Sequence, residues 1–332
     1  MKIGILGSGM IVTNALNAID SMKNVECTAL WHREVDREGA ISLQKQYNIP
    51  KLYTDIDEFL RDNSFDVVYV GVINSLHYVY TKKALEANKN VICEKPFTPT
   101  YRHGKALLEL AKEKKLFLFE AIMLRYADNY EEIARHLNEL GEITLIQCNY
   151  SQYSSRFDKY LEGNVLPAFS PELAGGALYD INLYCIQFTI GLFGKPETVH
   201  YMANIGYNGI DTSGILCMDY GKYKAICVGA KDSDSPSRCT IQGHKGYIDM
   251  LSLPGKVENV NIHLKNQKTR CIDIKTLGNP MLNEFDKIDK IINNKDYDKC
   301  YQYMDITLDV MKVLEDARID AGIHFNADNE GL

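Results

Sequence analysis

The stretch Lys2-Ile3-Gly4-Ile5-Leu6-Gly7-Ser8-Gly9-Met10-Ile11 decides how the rest of this 332-residue chain is read. A short strand pattern runs into a glycine turn. An amphipathic helix pattern follows over 10–22, with Ile11, Ala15, Ala18, Ile19 and Met22 on one face. A tight turn at Gly7, and no side chain at Gly9, let backbone N–H groups and the helix N-terminus face a pyrophosphate. Gly7, Ser8, Gly9, Met10 and Ile11 are therefore cofactor-binding candidates. Val12 stands where the third glycine of G-x-G-x-x-G would fall, which asks for a slightly wider helix–strand approach. A plain glycine turn reads the same in isolation; the strand–turn–helix setting favours a dinucleotide.

Working outward, β-branched and apolar runs recur at Cys27–Trp31, Val67–Val70 and Asn90–Cys93, separated by amphipathic stretches such as 75–87 and 101–114. Such alternation predicts a parallel sheet covered on both faces, a Rossmann domain over 1–121 with ligands at the carboxyl ends of its strands. Beyond 121 the texture changes. A polar, aromatic loop at 151–175 leads into a helix over 176–191. Short strands follow at Val199–Gly206, Gly214–Tyr220, Lys224–Gly229, Arg238–Gln242, Tyr247–Leu251 and Asn259–Leu264, with Gly221, Gly243 and Gly246 at turns. Two helices close the chain. Asn279-Pro280 reads as an N-cap with proline at the first helical position, and Tyr303, Ile306, Val310, Val313 and Ala317 form a buried stripe. Residues from His324 onward read as a polar tail. The expected second domain, 122–332, is α+β, built on a large, predominantly antiparallel, open-faced sheet that binds substrate and dimerises, with the C-terminal helix able to return to the first domain.

Lys+Arg 37 against Asp+Glu 44 gives −7, with no basic runs, which makes nucleic acid and anionic membrane poor partners. The nine cysteines are never closer than ten residues and the eight histidines are dispersed, so no metal site is expected. Scattered free cysteines suit a reducing compartment. The apolar window 177–194 is interrupted by Asp180, Asn182, Gln187 and Thr189, and the opening residues show no signal-peptide core, so a cytoplasmic protein is expected.

At the end of the second strand, His32 and Arg33 offer cations suited to a ribose 2′-phosphate, favouring NADP. Glu34 and Asp36 lie just past them and would supply the carboxylate of an NAD site if the strand ends two residues later. Cys93-Glu94-Lys95-Pro96-Phe97 closes another strand at the edge where ligands bind.

With Gly7-Ser8-Gly9, the segments Asn74-Ser75-Leu76-His77, Ala84-Leu85-Glu86-Ala87, Val91-Ile92-Cys93-Glu94-Lys95-Pro96 and Gly175-Gly176-Ala177-Leu178-Tyr179-Asp180-Ile181-Asn182-Leu183-Tyr184 make nearly the whole chain resemble the Gfo/Idh/MocA oxidoreductases. That resemblance implies that Lys95 lies beside the nicotinamide behind a cis Lys95–Pro96 bond, with Asn74 and Glu94 towards the cofactor ribose. His77 matches a family position too, although a helix histidine is more often structural. A tyrosine at 184, where much of the family has histidine, resembles the dihydrodiol and D-xylose dehydrogenases. Departures fall near the expected substrate cleft: Asn182 replaces a glycine, Pro167 an arginine, and Met123-Leu124-Arg125-Tyr126-Ala127-Asp128 keeps only Arg125 of a W-T-R-F-x-P segment.

Asp180 and Tyr184 lie four apart and share a helix face. A tyrosine of pKa about 10 is a poor base at neutral pH; an adjacent Lys95 ammonium would favour the phenolate. The expected activity is NADP-dependent (NAD as the alternative) hydride exchange with a secondary alcohol of a small sugar, polyol or vicinal diol. Tyr184 would act as acid/base, Lys95 as oxyanion stabiliser, and Asp180 as hydroxyl acceptor and support for that lysine. A silent NAD(P)-binding sensor and an NAD-assisted glycoside-cleaving enzyme are the alternatives. The expected assembly is a homodimer through the second-domain sheet.

Overall fold

A computed structural model describes residues 1–272, 274, 278–329 and 331. The chain divides into two compact units, one of Met1–Ile122 together with a later helical segment ending at Thr307, the other running from Met123 through a second sheet and resuming at Leu308.

The first unit carries a six-stranded sheet in the order β3-β2-β1-β4-β5-β6. Its strands are β1 (Lys2–Leu6), β2 (Glu26–Trp31), β3 (Lys51–Tyr53), β4 (Val67–Val70), β5 (Asn90–Glu94) and β6 (Leu118–Ala121), all parallel. Burial explains their composition: Val67–Val70 and Leu118–Ala121 are buried at every position, as strands covered on both faces must be. Helices α1 (Met10–Asp20), α2 (Arg37–Gln46), α3 (Ile56–Arg61), α4 (His77–Glu86) and α5 (Tyr101–Lys114) connect them. The order reverses between β1 and β4, and outside the carboxyl ends of those strands lies the crevice where open sheets of this kind take ligands.

The second unit is built on eight strands in the order β14-β13-β12-β11-β7-β10-β9-β8. These are β7 (Ile143–Ser151), β8 (Thr198–Ile205), β9 (Asp211–Asp219), β10 (Lys224–Ala230), β11 (Arg238–Gly243), β12 (Gly246–Met250), β13 (Val260–Leu264) and β14 (Arg270–Ile272). Among the described residues of this sheet only the β7–β10 pair is parallel. Helices α6 (Asp128–His136), α7 (Phe157–Leu161) and α8 (Leu183–Phe193) belong to this unit. Against α8 the sheet presents a row of thiols: Cys148 is in register with both Cys227 and Cys239, and Thr189 of α8 lies 3.7 Å from Cys148 Sγ and Cys227 Sγ. All nine cysteines are free.

The closing helices are α9 (Pro280–Asn293) and α10 (Tyr297–Asp320). As Asn279-Pro280 predicts, the Asn279 side chain accepts from the Met281 N–H, 3.0 Å away. The expected polar tail is not one. Residues Asn326–Asn329 form a 3-10 turn, Phe325 is 3% exposed, and Asp328 makes a two-pronged ion pair with the buried Arg318 at 2.8 and 2.6 Å. One buried guanidinium outweighs the polar composition of the segment.

Candidate active site

The glycine turn of the first unit forms a cradle. Gly7 has φ +112°, and a Cβ there would stand 2.5 Å from the Gly71 carbonyl oxygen, so β1 and β4 approach too closely for a side chain. At Gly9 a Cβ would meet nothing within 4 Å; it would project into open space at the start of α1. No side chain caps α1, and its first turn has no acidic residue, so the positive end of the helix is left for an anion. A groove of about 240 Å³ runs past this turn, lined by Gly7, Ser8, Gly9, Ile11, Trp31, Arg33, Asp36 and Gly71–Ile73. These features fit the pyrophosphate half of a dinucleotide. Met10, 68% exposed, opens α1 outside the groove lining. A larger groove of about 670 Å³, with Leu60, Lys83 and Lys89, lies at the opposite, amino ends of β4 and β5.

Arg33 keeps its place on the groove, with its Nε donating to Asp36 Oδ2 at 2.8 Å. His32 does not. Its backbone N–H continues the ladder to Tyr53 O (3.0 Å), which turns the side chain inward; it is 2% exposed, with Nδ1 2.8 Å from Arg33 O. The cation expected from His32 is therefore turned away from the groove, whereas Arg33 lines it.

Lys95 follows β5, and the Lys95–Pro96 bond is cis, as the family resemblance implies. Glu94 is turned into the domain rather than outward: one oxygen accepts from the Tyr69 hydroxyl, the other from the Lys95 N–H at 3.1 Å. Burial pushes its pKa up to about 7, against the pull of Tyr69 and Lys95. His77 is also internal. Its ring nitrogens lie 2.8 Å from Pro96 O and 3.1 Å from Val72 O, bracing the cis-proline loop against the end of β4. Burial lowers its pKa, and its ring ties two backbone carbonyls together. Asn74 begins a 3-10 turn, Asn74–Leu76, directly ahead of α4.

In the second unit the helix expected at 176–191 opens with a π-turn, Leu178–Asn182, before α8. Widening by one residue keeps Asp180 and Tyr184 on one side while shifting what lies beneath them; such turns recur at functional sites. Asp211 anchors the start, accepting from Leu178 N–H (2.6 Å) and the Tyr201 hydroxyl (2.7 Å), and burial raises its pKa. Asn182 fills the interior under the turn, donating to Cys227 O at 3.1 Å. Tyr184 is half-buried, its ring 5.8 Å from that of Tyr150 and edge-on to the backbone at Gly255.

Asp180 pairs with a lysine that sequence reading missed. Lys231 Nζ is 2.8 Å from Asp180 Oδ2, 2.6 Å from Ala168 O and 4.3 Å from the centre of the Phe169 ring. Where the resembled subgroup carries an arginine this chain has Pro167, and a cation reaches the next carbonyl from β10 instead. A lysine directly after the apolar strand Lys224–Ala230 was the available signal. Arg125 is buried in this unit and donates to Gln187 Oε1 at 2.5 Å. Among the described residues no cluster of His, Cys, Asp or Glu could hold a metal ion, and no helix is long and apolar enough to cross a membrane.

Fold and motifs together define a nicotinamide-nucleotide oxidoreductase of the two-domain kind. Residues 1–121 match the oxidoreductase family with an NAD-binding Rossmann fold, and 135–249 match the GFO/IDH/MocA C-terminal domain. The chain belongs to the Gfo/Idh/MocA family. It is 29% identical over 330 residues, 99% of each chain, to the scyllo-inositol 2-dehydrogenase (NADP(+)) IolU of Bacillus subtilis. With the trans-1,2-dihydrobenzene-1,2-diol dehydrogenase of Xenopus tropicalis it shares 30% over 84% of this chain and 83% of that one. Among solved structures, KijD10, a 3-ketoreductase from Actinomadura kijaniata crystallised with NADP and TDP-benzene, superposes with a TM-score of 0.83 at 18% identity, covering 98% of both chains. That likeness is one of fold.

Proposed function

We propose that this chain is an NADP-dependent dehydrogenase or reductase acting on a secondary alcohol, or its carbonyl, in a small sugar, polyol or vicinal diol. The observation that carries the reading is a half-buried Tyr184 one turn beyond Asp180, on a helix distorted by a π-turn and held by a buried lysine. The relatives' names, an NADP(+)-dependent inositol dehydrogenase and a diol dehydrogenase, point to the same cofactor and substrate class.

The glycine cradle and the α1 N-terminus would hold the pyrophosphate, and Arg33 the 2′-phosphate. Bound NADP supplies hydride transfer at the nicotinamide ring. Tyr184 takes the proton of the substrate hydroxyl in oxidation and returns it in reduction. Lys95 stabilises the developing alkoxide. Asp180 accepts a hydrogen bond from a neighbouring hydroxyl. Asn74 and Glu94 form the surroundings of the ribose, Glu94 through the loop it stabilises.

The homodimer we propose uses the sheet face away from α8, where Met202, Ile215 and Tyr247 are 53, 39 and 41% exposed. A reducing, cytoplasmic setting agrees with nine free cysteines.

The test is an absorbance screen at 340 nm of aldoses, inositols and diols with NADP and NAD, alongside Tyr184→Phe. Turnover with an NADP preference, lowered about a hundredfold or more by Tyr184→Phe at unchanged cofactor binding, is expected. Tight cofactor binding with no turnover across the panel replaces this reading with that of a sensor.

A further inference from the structure

We propose that Lys231 is a positioning residue for substrate recognition: it fixes Asp180 as an ionised acceptor and thereby makes the enzyme demand a hydroxyl beside the reacting carbon. This rests on the reading of Asp180 and Tyr184 as substrate-facing groups.

Lys231 has little freedom and a strict chemical setting. Its N–H donates to Thr212 O at 2.8 Å, which fixes its backbone against β9. Its side chain is 2% exposed, yet that of Asp180 is 30% exposed. The pair therefore runs from the interior to an accessible carboxylate. An ammonium taken from water costs several kcal/mol unless every neighbour compensates. Here the neighbours include a carbonyl oxygen, a carboxylate oxygen and the face of a phenyl ring, each of which favours a cation. A second buried carboxylate, Asp211, feels the same charge and ties down Leu178 at the start of the π-turn. Lys231 thus acts on an acid within the turn and on the acid that anchors its start.

Stability alone does not account for this arrangement. A buried ion pair is commonly matched or bettered by apolar residues of similar volume, and a pair opening at one end gains less still. Orientation does account for it. An anchored carboxylate accepts hydrogen bonds and donates none, so it favours hydroxyl donors and disfavours substrates with a carboxylate or nothing at that position. Sites built to bond a substrate hydroxyl reject the analogue that lacks it strongly.

The test compares Lys231→Met and Lys231→Arg with the unaltered protein, using aldose and inositol probes each paired with its analogue deoxygenated beside the reacting carbon, such as D-glucose with 2-deoxy-D-glucose. Lys231→Met is expected to raise KM for the hydroxylated probe about tenfold or more, change kcat less, and leave KM for the deoxy analogue and NADPH binding unchanged. Lys231→Arg should recover most of the discrimination. If Lys231→Met does not fold, the double variant Asp180→Asn/Lys231→Met removes both charges and should fold while losing the same discrimination. Unchanged discrimination in a folded variant lacking the cation, or no recovery with arginine, overturns the proposal. Full activity of Tyr184→Phe would instead overturn the reading of the site, and a panel without turnover overturns both.

Discussion

Asn182 and Gly229 occupy one space: a methyl group at 229 would stand 2.5 Å from the Asn182 Cβ. The resembled subgroup carries glycine at 182; in this chain the Asn182 side chain fills the space that Gly229 leaves open. Gly229→Ala should therefore cost about 2 kcal/mol and disturb the π-turn above it. Adding Asn182→Gly should recover most of that loss. Denaturant unfolding of the two single variants and the double variant measures the coupling; additive effects would contradict it.

Glu94 gives the first unit a pH signature. Its pKa is about 7 in the fold, above the ordinary carboxylate value, so the folded state prefers the protonated acid. That contribution is complete below the unfolded pKa and is lost as pH rises to about 7. Glu94→Gln, which cannot ionise, should gain stability relative to the unaltered protein by about 2 kcal/mol between pH 5 and pH 8. Melting curves at both pH values check this, and a pH-independent difference would refute it.

The C-terminal turn should behave as core. Asp328→Asn leaves the guanidinium of Arg318, whose side chain is 1% exposed, without its countercharge, and is expected to destabilise the protein by about 3 kcal/mol. Neighbouring His324→Ala, at a side chain 76% exposed, should change stability by less than about 0.5 kcal/mol. Thermal unfolding separates the two.

Two glycines in one turn should fail differently. Gly9→Ala adds a methyl in open space at an ordinary backbone angle, so stability should hold while NADPH binding weakens about tenfold. Gly7→Ala, at positive φ and against a carbonyl, should lower stability by about 2 kcal/mol along with binding. The only tryptophan, Trp31, lines the groove, so its fluorescence reports binding in both variants.

Arg33→Ala should raise the Kd for NADPH at least tenfold and leave that for NADH nearly unchanged. Equal losses for both cofactors would reassign Arg33.

The nucleotide half was legible because burial on both faces forces apolar strands and the glycine turn has one geometry. Strand β7 was not: its partners β10 and β11 lie far along the chain, and a lone alternating run at 143–151 carries no sign that it becomes the middle of a sheet. His32 was misread because a strand end shows its periodicity only when the neighbouring strand, β3, is known. Over five residues a π-turn and an α-turn are indistinguishable in sequence, and Lys231 after a strand looks like a solvated turn residue until Phe169 and Asp180 close around it.

Helix α9 gives the first unit an unusual order of manufacture. The Phe285 ring lies tilted against that of Tyr69 at 5.8 Å, Asp289 accepts from Asn24 at 2.6 Å, and farther on Cys300 donates to Leu118 O at 3.1 Å. On the ribosome the six parallel strands emerge first, but these partners emerge only after the whole second sheet. At about 5–20 residues per second the nascent nucleotide domain waits on the order of ten seconds with that surface uncovered. During translation, this unfinished patch is where a chaperone would bind or neighbouring chains would stick.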